Sequence, residues 1–388
     1  MVAFPLKVEL QPGFKDKETM SNFSVNVYEA KIVQHPNADA IEICMIGDYQ
    51  TIVKKGQFVD GDLVAYIPEA AVLPLPLIIE LGLEGKLSGS EKNRVKVMRL
   101  RGVVSQGLVY PAKSDWILGQ DVTEILGITK YEIPESTIPA LLRGECMNVG
   151  QHRTIKYDIE NFKKYPKLFN ETMEVVMTEK CHGTFCGIGL MPDRLSHEGY
   201  TIFPFSKGLG ADGIAFRWLK EVNKEVAYCK VVTDNLAKLE EVRRIANDND
   251  TPVFILGEAF GNGIQDLSYG FKNGEFTFRV FDVYIGTREY GSFMNDIQLT
   301  NFCENFGFTR VPVLYRGPFN KEIMLEHTKG KETISGRGMH VREGVVVRTI
   351  NEQKSSYEDR FDGAYGRLQL KSVSDDYLFR KGNATEFN

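Results

Sequence analysis

The sequence predicts an α+β protein of two domains, an all-β segment followed by a larger one rich in antiparallel strands. Three observations carry that reading. At 388 residues the chain exceeds the size of one common domain. Residues 22–112 break into short strands separated by turns, with little helix among them. From Thr172 onward, strand-like runs enclose a long helical stretch instead of repeating a βαβ unit.

In the first segment, residues 23–33 alternate loosely, and strands at 40–45, 50–54 and 62–67 follow, the last after the Asp60-Gly61 turn. Residues 75–83 predict a short helix, 84–93 a polar loop, and 94–100 and 107–110 two further strands. Several short strands around one helix suit a small barrel, and the OB fold is the candidate. His35-Pro36-Asn37-Ala38-Asp39 resembles the opening of OB-type tRNA-binding modules. Arg94 and Lys96 would share one strand face, and Arg99 and Arg101 another. Such cations either track a phosphate backbone or simply solvate the barrel exterior.

The barrel domain is expected over residues 1–125, connecting elements over 126–165, and the second domain over 166–388. Pro134, Pro139, Gly144 and Gly150 mark the connection, and 156–169 predicts a short helix ending at Tyr165-Pro166. Beyond it, 174–179 reads as a strand with 185–191 as its partner. Residues 214–247 read as mostly helical, with Leu236, Leu239, Val242 and Ile245 at helical spacing. Later strands are expected at 253–256, 276–284, 341–348 and 367–370.

Composition narrows the class. Apolar content of 43% and charged content of 26% fit a soluble globular protein. Lys7 and Glu9 interrupt the N-terminus, and no run approaches the roughly 18 apolar residues of a membrane helix. Six cysteines, at 44, 146, 181, 186, 229 and 303, form no C-x-x-C pair, so free thiols in a reducing, intracellular compartment are expected. Cys181 and His182 are adjacent and would face opposite sides of a strand, which argues against a thiol nucleophile. A net charge of −5 excludes wholesale coating of nucleic acid but leaves room for a local basic groove.

Chemistry concentrates around Lys180. K-x-x-G occurs at Lys86, Lys180 and Lys207, so spacing alone selects nothing. Only Lys180 closes an apolar strand, where a lysine needs a task or a partner. Glu258 ends the strand at 253–257 and opens onto Gly261 and Gly263. That placement suits a ribose or a water-mediated metal contact, or a plain exposed strand end. Glu343 shares an apolar face with Val341, Val345 and Val347, so it needs a cation, a metal or a core partner. Phe281 lies in an aromatic strand and serves either core packing or adenine stacking. Lys371 is either a grip on developing phosphate charge or a surface lysine. Gly208-Leu209-Gly210-Ala211-Asp212-Gly213 matches G-x-G-x-x-G, but the helical pattern that follows leaves no second parallel strand for a dinucleotide fold.

The ordered set resembles the covalent nucleotidyltransferases, the superfamily of polynucleotide ligases and mRNA capping enzymes. Lys180-Cys181-His182-Gly183 resembles motif I, Ser206-Lys207 motif Ia, Glu258-Ala259-Phe260-Gly261 motif III, the Phe281 strand motif IIIa, Glu343-Gly344-Val345-Val346-Val347 motif IV, and Leu370-Lys371 motif V. Tyr157-Asp158-Ile159-Glu160-Asn161 and Gly263-Ile264-Gln265-Asp266-Leu267-Ser268-Tyr269-Gly270 look like ATP-dependent RNA ligases, in particular the fifth RNA ligase family, which has an N-terminal OB domain. Too few residues follow Lys371 for a barrel, and the barrel-like segment comes first, as in that family. His182 stands where motif I usually has Asp or Asn, and Gln369 where motif V often has a first lysine. Phe185 and Cys186 occupy the region of a customary arginine.

The resemblance implies an ATP-dependent RNA ligase with Lys180 as the adenylylated catalytic residue. Glu179, Lys180, Lys207, Glu258, Phe281, Glu343 and Lys371 would form the ATP site, and Glu258 and Glu343 would serve Mg2+ or Mn2+. An amine attacks phosphorus only when neutral, and lysine ordinarily titrates near 10.4, so cationic neighbours, metal or burial must favour its free base. The implied partner is RNA, or a nicked duplex with RNA on the 3′-hydroxyl side. No membrane or obligate protein partner is expected. A GTP-using capping-type guanylyltransferase and a non-catalytic RNA-binding OB protein are the alternatives.

Overall fold

The structure, a computed structural model, describes residues 23–131, 140–288, 290–354 and 366–380. Lys7, Glu9, Pro134 and Pro139 lie outside them. The chain divides into two compact units, one of Glu18–Pro134 with Asn161–Lys167, the other of Met1–Lys17, Glu135–Glu160 and Leu168–Asn388. No helix among the described residues is long and apolar enough to cross a membrane.

In the smaller unit, Asn26–Glu29, Leu63–Ile67 and Leu108–Pro111 form one antiparallel sheet, and Lys31–Gln34, Ile41–Ile46 and Tyr49–Lys54 a second. Period-two alternation sends Val25, Val27, Ala65 and Ile67 fully inward. The Gln106 amide donates to the Gln50 carbonyl at 2.8 Å, and the Ile52 amide to Ser105 Oγ at 3.0 Å, which closes the barrel side. The expected helix spans Leu75–Glu80, started by Pro74, and buries Leu77 and Ile78 against the core.

The basic stretch departs from expectation. Only Met98–Leu100 is strand, in a hairpin with Val103–Ser105. Arg94 makes isolated bridges to Val72 and Ser88 instead, and its guanidinium lies 4.1 Å from the Tyr131 ring centre. Arg101 sits in the hairpin turn at φ 49° and so shares no strand face with Arg99. His35 and Asn37 hold that turn: His35 Nε2 lies 3.2 Å from the Leu100 carbonyl, and Asn37 Nδ2 donates to the Arg101 carbonyl at 3.0 Å.

Besides a two-stranded sheet of Cys146–Asn148 with Ile214–Phe216, the larger unit contains two large antiparallel sheets. One sets Gln369–Val373, Gly344–Thr349, Glu174–Lys180 and Val313–Pro318 side by side in that order. The other runs Ile202–Phe205, Thr184–Leu190, Val253–Gly261, Phe276–Gly286 and Gly291–Phe293. Its core packs Ile188, Val253, Ile255, Val283 and Ile285 against helices Ala227–Asp234, Leu236–Asp248 and Asp296–Phe306.

Four local expectations change here. The 174–179 strand does not pair with the one after it; Thr184–Leu190 joins the other sheet. The 156–169 helix is replaced by irregular chain and a short turn at Phe162–Lys164, because Asp158 accepts the Ile159 amide and Asn161 the Lys163 amide, each at 2.9 Å. Such local bonds compete with a helix ladder. The 214–247 stretch begins as a strand, Ile214–Phe216, before its two helices. The strand expected at 341–348 starts only at Gly344, where a Cβ would meet the Ser372 carbonyl oxygen at 2.0 Å.

Candidate active site

Motif I lies where the chain leaves one sheet for the other. Glu174–Lys180 ends the first sheet, Cys181-His182-Gly183 turns, and Thr184 begins the second. Gly183 is required there, since a Cβ would lie 2.3 Å from the Ala259 carbonyl oxygen. In register, Lys180 pairs with Gly344, which pairs with Val373, and Thr178 pairs with Val346, which pairs with Lys371. Strand parity therefore puts Lys180 and Lys371 on one face. In the second sheet, Phe185, Glu258 and Arg279 form one cross-strand row.

The side chains converge as well. Lys180 Nζ donates to Glu343 Oε1 at 2.7 Å, with Lys180 19% and Glu343 5% exposed. Glu343 precedes its strand and so escapes the parity that would have turned it away from Lys180. Its second oxygen, Oε2, is buried and has no hydrogen-bond partner. Burial pushes the Glu258 carboxyl up to about 8, aided by Glu343 and opposed by Lys180 and the Gly183 amide. Burial pulls on the Lys180 ammonium in the other direction, but Glu343 and Glu258 override it and hold the pKa above the ordinary lysine range. Lys371 falls to about 8 through burial and the nearby Lys207 cation. Lys207 begins the helix Lys207–Ala211 and donates to Asp158 Oδ1 at 2.8 Å. That short helix, beside an edge strand of an antiparallel sheet, is all that the glycine-rich G-x-G-x-x-G run forms.

Phe281 reaches the site through a bulge. Leu256 pairs with Asp282 and Gly257 with Val280, leaving Phe281 unmatched between them. Its ring centre lies 5.3 Å from that of Tyr157 and 6.0 Å from that of Phe185. Glu179 points to the opposite face, where its Oε2 accepts from the Thr333 amide at 3.0 Å and the Thr333 hydroxyl at 2.6 Å. Arg94, Lys96, Arg99 and Arg101 belong to the other unit; Lys96, Arg99 and Arg101 are exposed and Arg94 is half-buried.

Several neighbours escaped sequence reading. Asp158 carries Lys207, Tyr157 packs at a tilt against Phe281, and Asp266 and Tyr377 hold His182. Asp158 and Asp266 lie in stretches that carried the family likeness, so a signal existed without a role attached. Arg279 lies in the Phe281 strand that resembles motif IIIa but was given no role, and the strand register places it beside Glu258.

Residues 173–361 match the RNA ligase family model, and residues 25–112 match an OB-fold domain model. No curated protein matches the chain by sequence. Among solved structures, the fold is similar to Naegleria gruberi RNA ligase with PPi, at 23% identity, TM-score 0.71, covering 92% of this chain and 98% of that one. A mutant of that ligase with ATP and Mn gives 22% identity and TM-score 0.69 over 91% of this chain and 98% of that one. A mutant with AMP and Mn gives 22%, 0.69, 91% and 97% respectively. Two antiparallel sheets meeting at a strand-end lysine, with an OB-fold domain ahead of them in the chain, define a nucleotidyltransferase-type architecture. Within that class, residues 173–361 are similar to the RNA ligase family.

Proposed function

We propose that this protein is an ATP-dependent RNA ligase in which Lys180 carries the adenylate. The observation that supports this most is the convergence of motifs I, Ia, III, IIIa, IV and V, far apart in sequence, around the Lys180 amine. Lys180 Nζ forms a bond to the α-phosphorus as the bond from that phosphorus to the pyrophosphate oxygen breaks, and the amine proton leaves with a neighbouring base. An oxygen of an RNA 5′-phosphate then takes the adenylyl group, and the lysine regains a proton. A 3′-hydroxyl finally attacks the 5′-phosphorus and releases AMP.

Each neighbour has a part. Lys371 and Lys207 face the α-phosphate and its developing charge. Phe281 stacks on the base, Glu258 meets the ribose, and Glu179 frames the pocket by holding the Thr333 loop from behind. The residues fit a divalent cation: Glu343 keeps a buried oxygen without a partner, and burial with Glu343 beside it raises the Glu258 carboxyl despite the Lys180 and Lys207 cations, a shift that a cation would oppose. Among the described residues no group of three or more His, Cys, Asp and Glu could hold a metal alone. Glu258 and Glu343 would therefore share it with phosphate oxygens and water, as magnesium commonly requires. When bound, the cation neutralises triphosphate charge and favours the free base of Lys180.

Lys96, Arg99 and Arg101 of the barrel unit supply phosphate contacts to RNA, and the preferred substrate is a nicked duplex with RNA on the 3′-hydroxyl side. Incubation with α-labelled ATP and Mg2+ or Mn2+, followed by denaturing electrophoresis, tests the central claim. Label is expected on wild type and not on Lys180→Ala. Equal or better labelling with GTP would favour a capping-type enzyme, and no label with either nucleotide would leave an RNA-binding protein. Sealing of nicks with DNA substituted on the 3′-hydroxyl side tests the strand preference; undiminished joining there would overturn it.

A further inference from the structure

His182 stands two residues after Lys180, in the turn that carries the chain between the sheets, and both of its ring nitrogens are engaged. Nε2 lies 2.8 Å from Asp266 Oδ1, and Nδ1 lies 2.6 Å from the Tyr377 hydroxyl. The Asp266 carboxylate can only accept, and Arg380 grips it with Nε at 2.9 Å and a terminal nitrogen at 3.0 Å. Nε2 must then carry a hydrogen, and in the neutral ring Nδ1 accepts from the Tyr377 hydroxyl. The same segment that provides Asp266 holds the turn's backbone. The His182 amide donates to Tyr269 Oη at 2.6 Å, and Gln265 Nε2 donates to the Gly183 carbonyl. Tyr269 itself is buried at φ 53°, a conformation costly for an aromatic residue and sustained only where surrounding contacts fix it.

Two segments far from motif I in sequence thus hold one three-residue turn. One is the connection at 262–275 between the Glu258 and Phe281 strands; the other is the C-terminal stretch of helix Asp375–Leu378 and Arg380. Tyr377 also places its ring edge-on to His182, at 5.4 Å between centres. The bonds that both segments make to His182 and Gly183 bear on the direction of the strand end that presents the Lys180 amine.

We infer that Tyr377 and Asp266 are positioning residues for Lys180, acting through His182 to keep the strand end in its attack geometry. The inference rests on Lys180 being the adenylylated residue. The turn at 181–183 is buried, so the bonds to His182 and Gly183 set its direction within packed surroundings, and small misplacement of a nucleophile is costly in rate. The Tyr377 hydroxyl contributes to the rate of lysine adenylylation, and not to ATP affinity or to the later sealing step, in which Lys180 is not the nucleophile.

The test compares wild type, Tyr377→Phe, Asp266→Ala and Asp266→Asn in two assays. One is lysine adenylylation with labelled ATP across ATP concentrations, and the other is sealing of a pre-adenylylated RNA nick. Tyr377→Phe is expected to lower the maximal adenylylation rate about tenfold with KM for ATP within about twofold, while pre-adenylylated sealing persists. Asp266→Ala should behave likewise, and Asp266→Asn, which keeps an acceptor for Nε2, should recover most of the rate. Unchanged adenylylation in Tyr377→Phe overturns the inference. So does a parallel loss of both activities, which would mark a merely structural role. Absence of adenylylation in wild type itself would instead sink the assignment of Lys180.

Discussion

Two clusters of buried charge lie in the larger unit, and they are built to opposite ends. Around Asp282 and Asp296, opposite charges are matched closely. Asp282 and Arg367 are 0% and 3% exposed and bonded to each other, and Arg367 also holds Glu352. Arg348 lies 3.2 Å from Glu352 and 3.6 Å from Asp296, which Arg310 and Arg316 also bind. Asp296 is driven below the usual carboxylate range, since Arg310, Arg316 and Arg348 together outweigh burial. Arg367 is driven above its ordinary value by Asp282 and Glu352 despite burial. Around Lys180 the trend reverses for two members: Glu258 rises to about 8 and Lys371 falls to about 8, each toward its neutral form. In the first cluster every carboxylate is paired with arginine. The second holds groups shifted toward neutrality, the pattern expected of the proposed nucleotide site rather than of structural ion pairs.

That contrast breaks if the two clusters respond alike to substitution. The largest effect is expected from Asp282→Ala, which strands Arg367 and Arg348 in the core and should cost about 3–5 kcal/mol of stability by thermal or denaturant unfolding. Glu258→Gln should leave a well-folded protein whose adenylylation rate falls roughly a hundredfold, a loss of about 2.7 kcal/mol in transition-state stabilisation. Unfolding comparable to that of Asp282→Ala would erase the distinction between frame and site.

A subtler effect belongs to Lys371→Met. The folded protein releases the Lys371 proton near pH 8, whereas the unfolded chain keeps it to about 10.5, so stability rises with pH between those values. Removing the charge should therefore stabilise the protein below pH 8, on the order of 1 kcal/mol, with the gain fading toward pH 10.5. Melting curves across that range check it; a gain that grows with pH contradicts the assigned direction. The smallest change is expected from Phe281→Leu, which keeps apolar bulk and loses the stacking face. KM for ATP should rise about three- to tenfold, in line with about 0.5–1.5 kcal/mol for aromatic stacking. An unchanged KM would reassign Phe281 to the aromatic core with Tyr157 and Phe185.

Lys180 was singled out at a strand end and lies there, and Glu343 immediately precedes its strand. Glu258 was read as the end of the 253–257 strand, but that strand runs on to Gly261, and Lys371 lies in the middle of Gln369–Val373. The barrel ahead of the larger domain was legible, and the helix read at 75–83 forms over Leu75–Glu80. What failed was pairing and parity. Glu343 was read as a member of the Val345 and Val347 face, yet its carboxylate meets Lys180, because the strand begins one residue later at Gly344. Phe281 was grouped with Phe276 and Phe278, and a single unmatched residue changes its side of the sheet. The basic stretch at 94–101 read as one strand, whereas packing of Val95 and the Arg94–Tyr131 contact interrupt it.

The amino-acid order alone determined the inventory of reactive groups, their sequence along the chain, and which stretches are apolar enough to form strands. Only the tertiary structure decided that the chain changes sheets at Cys181-His182-Gly183, and that Glu343 and Lys371 become Lys180's neighbours through the two strands beside it. The reason is physical. Backbone ladder bonds are the same for every residue type, so a strand's own pattern says which face is buried but not which distant strand lies alongside. That choice falls to packing across the whole unit, and here it gathers the scattered motifs around one amine.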